Sequence, residues 1–137
     1  MTGWTDDLAT GIAEVDEQHK EIFRRVDSLL AACKEGKGRQ NVGGVIDFLG
    51  DYVVSHFRAE EAIQARSKYP RYAEHKLLHE EFIRSFAALK DEFDTHGPTL
   101  TAVTQTNTVV VQWLLHHIRK EDGDLARHIR ETSGGGR

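Results

Sequence analysis

Two short motifs place metal-ligand chemistry in pairs: HKLLH at 75–79 sets two imidazoles four residues apart, and HFRAE at 56–60 sets an imidazole four residues before a carboxylate. Residues four apart stack along one face of a helix, so each motif offers two ligand atoms side by side. His19, His117 and Asp122 add two imidazoles and a second carboxylate. Imidazole nitrogen with carboxylate oxygen suits iron, zinc, manganese and copper alike. A single histidine on an apolar face is most often a core residue hydrogen-bonded to a carbonyl. Five beside two carboxylates differ, because without a metal each unsatisfied polar group costs roughly 1–3 kcal/mol. His96 lies beside Gly97-Pro98, and His116 and His128 lie off the apolar stripes, so these three are given no ligand role.

Helices are the elements that must position these residues. From 17 to about 35, Ile22, Phe23, Val26, Leu29 and Leu30 recur at three- and four-residue steps behind His19. After a loop at 36–41, Val42, Val45, Ile46, Leu49, Val53 and His56 keep that period to the region of Tyr69-Pro70, with Gly43 and Gly44 weakening the first turn. A third stripe, His75, Leu78, His79, Phe82, Phe86, Leu89 and Phe93, closes at His96-Gly97-Pro98. Leu100, Val103, Asn107, Val110, Leu114 and His117 trace a fourth, expected to run to about Arg119, with Gly123 as a stopping point and 124–132 as a short C-terminal helix. The expected fold class is all-α: an up-down-up-down four-helix bundle with an N-terminal arm over 1–16. A single domain spans 1–132, and SGGGR at 133–137 reads as a disordered tail. In this topology helices one and three begin, and two and four end, at the same end of the bundle, so the five histidines fall in one layer. Cys33 shares the face of His19 about 21 Å further along its helix and reads as a buried small apolar residue.

Composition excludes several function classes. The chain has 137 residues with 22 acidic and 18 basic side chains, a formal net charge of −4, so the basic footprint of a nucleic-acid or anionic-lipid binder is missing. One cysteine forms no internal disulfide and no thiolate cluster. No apolar run approaches the ~18–20 residues that span a bilayer, and the N-terminus has no leader pattern, which reads as a cytoplasmic protein without membrane partners.

VDEQHK at 15–20, HFRAEE at 56–61, HKLLH at 75–79 and WLLHHIRKED at 113–122, with Trp4 and Tyr69-Pro70, resemble the hemerythrins from about residue 4 to 125. The length is similar to that of the single-domain bacteriohemerythrins. The resemblance implies a site for two non-heme irons with an oxo or hydroxo bridge: His75, His79 and His117 on one iron, His19 and His56 on the other, and Glu60 and Asp122 bridging. It implies dioxygen at the open position of the two-histidine iron, inside an apolar pocket of Ile22, Phe57, Trp113 and Leu114. The expected function is reversible dioxygen binding for carriage, storage or sensing, with no reaction turned over. The alternative is a di-iron enzyme with peroxidase-like or nitric-oxide-handling activity, and a third reading is a structural metal bundle. Nitrogen ligands outnumber carboxylates, and the paired Glu-x-x-His motifs of ferritin-like oxidases are missing, which favours carrying dioxygen over cleaving it. A partner oxygen-consuming enzyme is not named by any feature of the sequence.

One position departs from the family pattern HFxxEExxM: Gln64 stands where methionine is usual. Its amide is expected in the oxygen pocket, donating to bound dioxygen or holding a water beside it, with faster autoxidation than in Gln64→Met. The other reading is a partly exposed glutamine satisfied by solvent.

Overall fold

The computed structural model describes residues 4–36 and 39–135. Residues 4–12 form an arm with a single 3-10 turn, Asp6–Leu8, whose Leu8 is buried in the core. Helix α1 then runs Ala13–Lys34, earlier than the expected start, because Asp16 in its first turn reaches back to the arm. The Asp16 carboxylate accepts from the backbone N–H of Thr10 (2.8 Å) and Gly11 (3.1 Å) and from the Thr10 hydroxyl.

Helix α2 spans Arg39–Arg66, beginning inside the expected loop, of which residues 37 and 38 lie outside the described residues. Helix α3 spans Tyr72–His96 and stops at Gly97, whose φ of 76 only glycine adopts readily and whose N–H donates to the Phe93 carbonyl. Thr99 opens the last helix, its hydroxyl accepting from Ala102 N–H at 3.1 Å.

That helix, α4, differs from expectation. It does not end near Arg119 but continues over 100–135: α-helical Leu100–Thr106, a widened π-helical stretch Asn107–Gln112, α-helical Trp113–His117, a second π-helical stretch Ile118–Asp122, and α-helical Gly123–Gly135. Gly123 keeps right-handed helical angles (φ −62, ψ −42), so it is no stopping point. The expected C-terminal helix is present, joined without a break and reaching Gly135, while residues 136 and 137 of the expected tail lie outside the described residues.

Consecutive helices pack as neighbours and α4 closes against α1, which gives the four-helix bundle. Far from the histidines the core is built mainly of apolar side chains, among them Val26, Leu29, Ile46, Leu49, Leu89 and Phe93, with the buried Thr106 hydroxyl donating to the Ala102 carbonyl. Helices α2 and α3 approach closely at Gly50, where an added Cβ would lie 2.7 Å from the Phe86 ring. Cys33 is part-exposed at the edge of the core rather than buried, one correction to the expected placement. Among the described residues, no helix is long and apolar enough to cross a membrane.

Candidate metal centre

The helix starts and ends bring His19, His56, Glu60, His75, His79, His117 and Asp122 into one layer, each no more than 3% exposed. The seven side chains divide into two groups that share both carboxylates. His75, His79 and His117 with Glu60 and Asp122 form one; His19 and His56 with the same two carboxylates form the other, all ligand atoms within a group lying within 4.8 Å of one another. The oxygens divide likewise. Glu60 Oε1 faces His75 Nε2 (2.8 Å) and His79 Nε2 (3.3 Å), while its Oε2 faces His56 Nε2 (3.3 Å) and His19 Nε2 (3.8 Å). Asp122 Oδ1 faces His75 Nε2 (3.1 Å) and His117 Nε2 (3.4 Å), while Oδ2 faces His19 Nε2 (3.0 Å).

These contacts are close without being well-formed hydrogen bonds. Both oxygens of Glu60, both of Asp122 and Nε2 of His19 have no correctly aimed partner among the described residues. His117 Nε2 lies 2.9 Å from His75 Nε2 and 3.2 Å from His79 Nε2, and a single proton on one nitrogen cannot satisfy three lone pairs. Nitrogen and oxygen donors gathered this closely without bonding one another could hold metal ions in each group.

Asp122 reaches the layer through the second π-helical stretch. At roughly 100° per residue, a position five residues on in an α-helix lies about 140° around the axis, off the ligand face. Widening Ile118–Asp122 to i→i+5 bonding stacks Asp122 above His117 instead.

Charge in the metal-free cluster follows from the same contacts. Burial opposes protonation of His19 and His75, but the carboxylates of Asp122 and Glu60 overcome it and raise both to about 9. Burial likewise opposes ionisation of Glu60 and Asp122, yet the surrounding imidazoles hold both carboxyls below the usual range.

Two supporting residues were missed in the sequence. His79 Nδ1 donates to Glu61 Oε2 at 2.9 Å, and His56 Nδ1 donates to Gln18 Oε1 at 2.7 Å. Each leaves Nε2 as the free ligand nitrogen and fixes the ring's orientation. Both flank a ligand, in EE at 60–61 and QH at 18–19, but only the cross-helix packing assigns them a partner.

The five pocket candidates separate. Ile22, Phe57, Trp113 and Leu114 lie on the core side of the layer, with Phe57 flat on His79 (centroids 3.8 Å, 4°) and Trp113 flat on His117 (4.3 Å, 12°). Gln64 comes a turn after Glu60 toward the bundle end and is 0% exposed, so the solvent-satisfied reading of it fails. The three remaining histidines stay outside the layer: His96 pairs with Glu92, His116 is exposed, and His128 lies 2.9 Å from the Ser67 carbonyl.

The family model of the hemerythrin HHE cation binding domain matches residues 10–129. A bacteriohemerythrin of Stenotrophomonas maltophilia (strain R551-3) is 35% identical over 127 residues, 93% of this chain and 80% of that one. One from Methylococcus capsulatus (strain ATCC 33009 / NCIMB 11132 / Bath) is 34% identical over 122 residues, 89% of this chain and 91% of its own. The crystal structure of a wild-type hemerythrin superimposes with a TM-score of 0.80 at 33% identity, covering 93% of this chain and 95% of that one. With the buried cluster and the bundle agreeing with these matches over most of its length, the chain belongs to the hemerythrin family.

Proposed function

We propose that this protein binds dioxygen reversibly at two non-heme irons, for carriage, storage or sensing. His75, His79 and His117 would hold one iron and His19 and His56 the other, with Glu60 and Asp122 shared. The observation that carries this reading is the division of ligand atoms: each carboxylate turns one oxygen to each group, and one group has one histidine fewer, leaving a place for a small ligand. Two irons held there would supply the two electrons that dioxygen takes up on binding and returns on release.

The protein's own residues then have three tasks. Gln18 and Glu61 hold His56 and His79 in the tautomer that presents Nε2. Phe57 and Trp113 lie against the ligand rings and, with Ile22 and Leu114, keep water from the core side. The third task is to offer no proton donor there. Among the described residues the buried ionisable side chains are the seven of the cluster and Tyr69 toward the bundle end, so the core side carries no acid or base for a turned-over reaction. The part-exposed, unpaired thiol of Cys33 suits a reducing, cytoplasmic setting.

The test is the visible spectrum of reduced, iron-loaded protein under argon, then oxygen, then argon again. A charge-transfer band that comes and goes over repeated cycles is the expected result. A single conversion to a stable oxidised form would replace the carrier reading with the enzyme one, to be followed by assays with peroxide and nitric oxide.

A further inference from the structure

Outside the seven cluster residues, two buried polar side chains lack partners among the described residues. Neither Oε1 nor Nε2 of the fully buried Gln64 makes a hydrogen bond, and the buried Tyr69 hydroxyl makes none. Left so, each group costs roughly 1–3 kcal/mol.

The backbone sets them side by side. Helix α2 ends in a Schellman turn: Tyr69 N–H donates to the Gln64 carbonyl at 3.0 Å and Lys68 N–H to that of Ala65 at 3.3 Å, with Lys68 held at φ 55. An apolar contact between the two outer positions, here Gln64 and Tyr69, frequently accompanies such a turn. In this chain both are polar, and neither bonds to the other. A helical side chain leans toward the helix N-terminus, which directs Gln64 back over Glu60. On the other side, the Tyr69 ring lies 6.3 Å from His75 and 5.3 Å from His128, and it lines a surface cleft with Arg71, Asp124 and His128.

Buried donors and acceptors on two residues joined by one turn, both without partners, match the needs of an internal water, which takes two to four polar partners. We infer that Gln64 and Tyr69 together hold one water on the end side of the metal layer, and that protons from the cleft reach the layer through it. Tyr69 Oη–H donates to the water, and the water donates to Gln64 Oε1. The second water O–H and the Gln64 Nε2–H remain for the Glu60 side. A proton passed inward is replaced from solvent in the cleft, so no oxidant or reductant is involved. The water site stands on the geometry alone, whereas its proton role rests on the proposed dioxygen chemistry.

The test compares the metal-loaded wild type with Gln64→Met, Tyr69→Phe and the double variant. Crystal structures should show an ordered solvent peak at hydrogen-bond distance from the Gln64 amide and Tyr69 Oη, absent from Gln64→Met. Thermal unfolding should be non-additive, with Tyr69→Phe costing less when Gln64 is already replaced. The oxygenated protein should decay about tenfold more slowly in Gln64→Met, and its solvent deuterium isotope effect should vanish. No solvent peak together with additive stabilities overturns the site. A peak with unchanged decay and isotope effect overturns the proton role. If the protein never oxygenates reversibly, the proposed function fails, while the crystal structures and the unfolding cycle still decide the water site. Tyr69→Phe carries the same readouts if Gln64→Met does not fold.

Discussion

On the core side of the metal layer two aromatic rings lie flat on ligand imidazoles, and Ile22, Leu114 and Phe82 fill the space around them. On the end side, a turn away, stand an amide, a phenol and a surface cleft where Arg71 and Lys120 pair with Asp124. The same seven clustered side chains thus face a dry wall in one direction and a polar, solvent-linked wall in the other. The contrast teaches that apolar residues alone do not protect the centre. The core side removes water and strengthens every electrostatic contact within the layer, and exchange with solvent is confined to the end side.

The sharpest way to break this contrast is on the dry side. Phe57→Ala removes a fully packed ring and leaves a cavity against His79, which should lower stability by about 3–5 kcal/mol. Denaturant unfolding of loaded and metal-free protein checks it, and a loss confined to the loaded form would show that the ring serves the metal rather than the core.

Stripping the metal is next in size. A ligand bound only by the folded state, at a thousand times its Kd, adds about 4 kcal/mol, so chelation should lower the melting temperature markedly. The metal-free protein should also gain a pH dependence. His19 and His75 are raised from 6.5 to about 9, so their stabilisation is complete below about pH 6.5 and is lost as pH rises toward 9. Glu60 and Asp122 are lowered from 4.5 and 3.8, so theirs is present above those values and is lost on acidification. Stability of the stripped protein should peak between about pH 4.5 and 6.5, and loading at pH 7 should release the protons of His19 and His75, measurable in weakly buffered solution.

Within the layer, Glu61→Gln should weaken metal binding about 10- to 100-fold by competition with a chromophoric chelator, and Gln18→Ala should act on the other group. Equal affinities in all three proteins would show that neither residue supports a ligand. Smallest of all, Thr99→Ala, remote from both walls, should cost about 1 kcal/mol through the lost helix cap and leave metal affinity unchanged.

The buried cluster was readable because His56 with Glu60, and His75 with His79, keep a four-residue step that marks one helix face. Asp122 was harder. Five residues from His117, it matches no α-helical face, and Gly123 just beyond it marks the expected helix end. The structure instead resolves it with a widened turn. Gln18 and Glu61 act across helices, which periodicity along one chain does not reveal. The burial of Gln64 depends on a turn whose left-handed residue is Lys68, so no glycine marks it in the sequence.

That widened turn after His117 also sets the helical phase of everything beyond it. A π-type turn holds one residue more than an α turn, so the inward face of the last helical stretch is rotated by roughly 100° from where a regular helix would carry it. Leu125 and Ala126 are buried in this rotated frame. Tightening this stretch to an ordinary α turn with no residue removed would therefore cause two failures at once, turning the shared carboxylate off the metal layer and the apolar seal of the C-terminal helix out to water. The reading frame of the metal site and that of the bundle's closing helix are one and the same, and neither can drift by a residue without the other.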